Sequence, residues 1–210
     1  MGEHAVGHAE RIANALRAIA PQGKLKSEDI PPLNVLAQNW SKRDAVTPPA
    51  ANDQLEPPWT KALLTKLGEK EIPGPKHNLW ISTGWAALGA GWFNDDETPW
   101  CGYAAAWSLQ QAGLTYPKNF PSAASFKSWG KDTAARVGAF GVKARPGGNH
   151  VFQIVGETED KLFYKALGGN QGNEVSIVDI RKTEVDAIRW PSEVPLPPTI
   201  YLPIMRKGKI

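Results

Sequence analysis

Cysteine is almost missing from this chain: Cys101 is the single one in 210 residues. One thiol cannot close an internal disulfide, so folding is not expected to depend on oxidation. Long apolar runs are also missing. No stretch reaches the roughly 18 apolar residues that a membrane span requires. The first twenty residues hold acids and histidines without an unbroken apolar core, which does not match a signal peptide. An excess of one charge is lacking too. Lysine and arginine number 24 against 21 acids, a net charge of +3, and this balance gives no argument for nucleic acid as a partner. What the chain has in quantity is tryptophan, nine residues, and proline, 18. So many tryptophans suit a rigid core with an aromatic-lined groove. The apolar content of 41% is ordinary for a globular protein, and the length suits one domain with an appendage.

The pattern along the chain predicts four regions. Residues 1–47 read as a helical hairpin, with Ile12, Leu16 and Ile19 in one apolar stripe and Leu33, Leu36 and Trp40 in a second. Residues 48–58, bracketed by Pro48-Pro49 and Pro57-Pro58, read as a linker. The main domain is expected over 59–190. Its first half is helical: Trp59 to Glu69, Leu79 to Leu88, the segment after Cys101, and a short helix from Ser122 to Trp129. Its second half changes to strand spacing, with strands expected over 137–144, 150–156, 161–167, 174–180 and 187–190, separated by glycine-rich or acidic turns. Helices first and closely spaced strands second predict an α+β fold with a small antiparallel sheet. Residues 191–210 form a proline-rich tail with a basic end, expected to wrap the domain.

The chemistry is expected around Asp95-Asp96-Glu97-Thr98-Pro99-Trp100-Cys101. Thr98 suits a helix cap and Pro99 the first helical position, which puts Cys101 in the first turn of a helix. Free N–H groups there favour a thiolate. Ala104, Ala105, Ser108 and Ala112 follow on the cysteine's own face, a small-residue stripe that would seat the helix close to a sheet. A thiol nucleophile needs an imidazole. Of four histidines, His4 and His8 lie in the appendage and His77 in a proline turn. His150 opens a strand after Pro146-Gly147-Gly148-Asn149 and shares its face with Phe152 and Ile154. A hairpin partner strand would bring Asn170 and Gln171 beside it, and either amide could accept the ring N–H. Asp96 and Glu97 are expected to face solvent or to bind a cationic amine of the substrate. Trp92 and Trp100 are candidates for a substrate groove or for the core.

The order of these residues resembles the papain-like cysteine peptidases of the NlpC and CHAP type. The segments "DDETPWCGY", "PGGNHVFQIVGE" and "LGGNQGNEVSI", with "KEIPGPKHN" upstream, are similar to phage endolysin-like and bacterial members that cut peptidoglycan. The likeness covers about Trp59 to Trp190. It implies Cys101 as nucleophile, His150 as base and Asn170 as the orienting residue; Gln171 is a further candidate for substrate contact. The chain departs from the pattern at Gly138-Ala139, where many relatives carry Gly-Asp, and in having an amide where some relatives use an acid. Calcium-binding relatives use spaced aspartates, and Asp95-Asp96-Glu97 lacks that spacing, so no metal or other cofactor is expected. The resemblance implies bacterial peptidoglycan as the partner of a monomeric enzyme. Without a signal peptide, synthesis in the host cytoplasm and action on the wall after release are expected. Two other readings share these features: an injected effector or toxin amidase, and a non-catalytic wall-binding phage component.

Overall fold

The computed structural model describes residues 56–198 and 200–206. The expected N-terminal hairpin, most of the linker and the basic end of the tail lie outside the described residues. Helix α1 (Pro58–Leu64) begins with proline at its first position, where the missing N–H costs nothing. The Pro57 carbonyl accepts the N–H groups of Thr60 and Lys61. Trp59 and Leu63 are buried, and the Trp59 indole donates to the Gly138 carbonyl while its ring meets Trp190 edge-on at 5.0 Å. The expected helix over Leu79 to Leu88 is two short ones, α2 (Leu79–Ser82) and α3 (Gly84–Ala87), parted at Thr83. The Asn78 side chain caps α2 by accepting the Trp80 N–H. The segment expected as a helix from Ser122 is a 3-10 helix, Ala123–Lys127.

Helix α4 (Cys101–Gln111) is buried almost all round, from Cys101 through Ala106 and again at Ser108 and Leu109. It starts two residues later than Thr98 and Pro99 predict. Trp100 is the cap residue and makes no side-chain capping bond. The reason is local: Asp95 Oδ1 accepts the N–H groups of Glu97 and Thr98, and the Thr98 hydroxyl donates to Asp95 Oδ2. Thr98 is therefore held in an aspartate turn and is not free to cap.

Six strands follow: β1 (Lys131–Asp132), β2 (Phe140–Arg145), β3 (Gly148–Glu157), β4 (Phe163–Gly168), β5 (Ser176–Arg181) and β6 (Val185–Trp190). They form one sheet in the order β1-β6-β2-β3-β4-β5, every pair antiparallel. The expected α+β arrangement is present, helices first and antiparallel sheet second. The two-residue sequence distance between Arg145 and Gly148 is closed by Pro146-Gly147, with Gly147 at φ +80°. Because β3 extends back to Gly148, His150 is its third residue and does not open it.

Alternation along β3 divides the molecule into two cores. Val151 and Val155 join Trp59, Leu63, Trp100, Cys101 and Phe140 in the large one, beneath α1 and α4. Phe152 and Ile154 join Tyr164, Ala166 and Ile180 in a smaller cluster, with Leu202 of the tail packed against it. The tail wraps as expected over the described residues: Pro197 accepts from Arg136, and Glu157 exchanges backbone hydrogen bonds with Pro203 and Met205.

The small-residue stripe does seat α4. Ser108 Oγ accepts from the buried Gln153 amide of β3 at 2.8 Å. At the end of β4, a Cβ on Gly169 would lie 2.5 Å from the Trp100 ring and 2.6 Å from the Ala104 Cβ. Neither neighbour is the loose end of a flexible chain. Gly169→Ala is thus expected to lower stability by roughly 2 kcal/mol, the scale of an overpacked core. Urea denaturation measures it, and a loss under roughly 0.5 kcal/mol would contradict so close a seat.

Candidate functional site

β4 stops pairing with β3 at Leu167 opposite Gln153. Val151 lies two residues beyond that last pair, and its N–H points to the Cys101 sulfur. The N–H groups of Gly102 and of Cys101 itself, at the start of α4, also favour the ionised sulfur. Cys101 is 3% exposed. Its nearest surroundings are Leu63, Ala105, Val151 and the Gly168-Gly169 backbone, and no open volume remains among them. Burial pushes the thiol pKa up, against the opposing pull of the Val151 N–H, Arg145 and the helix-start N–H groups.

His150 is the next residue along β3 from Val151. It pairs across the sheet with Lys143, and its ring stacks on Phe152 at 5.9 Å between centroids. His150 Nε2 lies 2.9 Å from Gln171 Oε1. The orientation of that amide is determined by its other end, because Gln171 Nε2 donates to the carbonyls of Ser176 at 2.6 Å and Ala166 at 3.2 Å. Its oxygen must therefore accept, and His150 Nε2 must carry the proton. Nδ1 is left with its lone pair, buried and with no hydrogen-bond partner. Burial lowers the His150 pKa to about 4; the Gln171 bond opposes this, and the charges of Arg145 and Lys143 add to it.

Cys101 and His150 therefore both rest neutral at pH 7. The sequence predicts a thiolate–imidazolium pair on the strength of the helix start, but desolvation outweighs three N–H groups at this depth. The ring and the thiol pack into different cores, His150 on the Phe152 side of β3 and Cys101 on the Val151 side. No hydrogen bond joins the ring and the thiol in the closed molecule, and the two line different cavities.

The expected third residue is corrected. Asn170 sits at φ +55°, a left-handed turn position that asparagine tolerates, and makes no hydrogen bond to His150. Gln171 does. Both line an open groove of about 380 Å³ with Lys143, Arg145, His150 and Asp179. Four expected substrate contacts lie elsewhere. Asp96 is fully buried and accepts from the N–H groups of Ile72 and Asn78 and from His77 Nδ1 at 2.9 Å. Burial alone would raise its pKa, yet these donors together hold it below the usual carboxylate range. The same contact raises the pKa of His77. Asp96 is the anchor of the proline turn, out of reach of a substrate amine. Glu97 is exposed with its carboxylate in no described contact. Trp100 is fully buried and donates to Glu71. Trp92 is 73% exposed, against Phe93, and lines no cavity with His150. Arg145 was not anticipated; the alternation of β2 and the pairing Lys143–His150 place it on the histidine's face. Compared with known proteins, the chain matches no family model and no curated protein.

Two measurements follow from the neutral pair. A histidine whose folded pKa is near 4 and unfolded value near 6.5 favours folding fully above pH 6.5, and that contribution is lost as pH falls through 4. The integrated loss is on the order of 3 kcal/mol. The drop in stability between pH 7 and pH 4, from denaturant midpoints, should shrink in His150→Gln by about that amount. Alkylation of Cys101 by iodoacetamide should be slow at pH 7 and rise only near and above pH 9. A rate already at plateau between pH 5 and pH 8 would mean a resting thiolate instead.

Proposed function

We propose that the chain is a papain-like cysteine hydrolase of the NlpC and CHAP type that cuts an amide bond of bacterial peptidoglycan. The observation that carries this reading is the state of His150. Gln171 holds the Nε2 proton in place, and the remaining nitrogen has a free lone pair with no partner, one residue from the amide that contacts the Cys101 sulfur. A structural histidine at this depth would be expected to satisfy both nitrogens. A general base needs one left open.

The chemistry runs from a neutral pair. As Cys101 Sγ attacks the carbonyl carbon, His150 Nδ1 takes the thiol proton, and the carbonyl electrons move to oxygen. The N–H of Cys101, unpaired at the helix start, is placed to donate to that oxyanion. Gln171 Oε1 stabilises the imidazolium through the Nε2–H bond, the role that the resemblance implied for Asn170. The tetrahedral adduct collapses, the C–N bond breaks, and Nδ1–H protonates the leaving amine. Water then adds to the thioester with His150 again as base, releasing the acid and restoring the thiol. The cut lies within the stem peptide or at its amide to the sugar. Because the thiol is nearly closed from solvent, substrate entry requires the surface over Cys101 to open. We further propose that the chain reaches the wall after synthesis in the host cytoplasm and works as a monomer.

The closed thiol also suits a second reading, a wall-binding component without activity. Digestion of purified peptidoglycan with mass identification of the fragments separates the two. The wild-type chain should release fragments. Cys101→Ala should lower the rate at least about a thousandfold, Gln171→Ala about ten- to a hundredfold, and Asn170→Ala less than about threefold. No release by the wild type, or release untouched by Cys101→Ala, sinks the hydrolase reading; wall binding preserved in that case favours the second.

A further inference from the structure

The His150 face of the sheet has more charge than the mechanism uses. Lys143 is tied to Glu184 and Asp179 to Lys165, at 2.5 Å and 2.6 Å. Arg145, at the end of β2, lines the same 380 Å³ groove and has no ion-pair or hydrogen-bond partner among the described residues. It is half-buried, and its field reaches both the His150 ring and the Cys101 sulfur. A partly desolvated guanidinium presents a planar fork of donors that matches a carboxylate. In a groove whose one lining acid, Asp179, is engaged by Lys165 and whose lysine, Lys143, is engaged by Glu184, it is the cation left for a ligand.

Building on the hydrolase reading, we propose that Arg145 is a specificity residue: it binds a free carboxylate of the substrate on the amine side of the scissile bond. The side follows from the chemistry. His150 protonates the leaving amine, so the groove that contains His150 receives the amine-bearing portion. The preferred substrates are then wall peptides whose leaving residue has a free carboxylate, and the carboxamide forms are poor ones.

The test uses purified sacculi before and after carbodiimide coupling with ammonia, which turns wall carboxylates into carboxamides of nearly the same shape. The wild-type chain should cut the native wall at least about tenfold faster, the factor that one charge-assisted bond of about 1.4 kcal/mol provides. Arg145→Ala should cut both walls at similar, low rates, and Arg145→Lys should keep part of the preference. Equal wild-type rates on the two walls overturn the proposal, as does a preference that survives in Arg145→Ala. The wild-type comparison stands even if a variant folds poorly. Failure to cut either wall overturns the hydrolase reading, and this proposal with it; cutting both walls equally overturns only the role of Arg145.

Discussion

The arrangement depends on one side-chain amide. Gln171 sits in the β4–β5 connection and bonds back to the strands on both sides, through Ala166 of β4 and Ser176 of β5. Two carbonyls at one end oblige it to present oxygen at the other, and that oxygen decides which nitrogen of His150 holds the proton. An asparagine at the same place would be one methylene shorter and could not span the connection and still reach the ring. The glutamine is thus a brace for the turn and an orienting group for the histidine at once. The glycines around it serve the same end: Gly169 lets the turn approach Trp100 and Ala104, bringing β4's end down onto the start of α4.

The location of the thiol follows from where β4 turns away. Strand pairing would otherwise occupy the outer N–H of Val151. With no strand there, that N–H is turned toward the sulfur at the helix start, and His150, the neighbour of Val151, alternates to the opposite face. Such a site uses the edge of a sheet that most proteins cover. It also explains why the cysteine is so deeply buried: the large aromatic core continues right up to the sulfur, through Trp100 on one side and Leu63 on the other.

Much of this was legible from residue spacing. The order of helices and strands, the small-residue face of α4, the pairing of the His150 strand with its neighbour and the wrapping tail all follow from local periodicity and turn residues. Single-residue hydrogen bonding was not legible. Thr98 looks like a cap but is held by Asp95. Asp96, one of three adjacent acids, is the one turned inward, because the proline turn at Ile72 to Asn78 offers three donors that no periodicity reveals. Asn170 and Gln171 are adjacent and chemically alike; what separates them is a left-handed φ at one and the reach of the other across a turn. Arg145 was invisible for a different reason. An arginine ending a strand looks like an ordinary solvated charge until the pairing shows which groups share its face and that their acids already have partners.

The protonation state of the pair exposes the competing forces most directly. Three N–H groups, two of them at the helix start, favour the thiolate, and a nearby guanidinium adds to them. Burial opposes all four and prevails in the closed molecule, and the same burial drives His150 toward its neutral form. The two effects have a common origin in the exclusion of water, so anything that admits water or a polar substrate over Cys101 relaxes both at once. Opening would lower the thiol pKa while raising that of the ring, and each change brings proton transfer from sulfur to Nδ1 closer to balance. Burial at rest therefore protects the single cysteine from oxidation and stray electrophiles. Under the hydrolase reading it also links activation to substrate entry, because the groups that would stabilise the ion pair are already in position before the site opens.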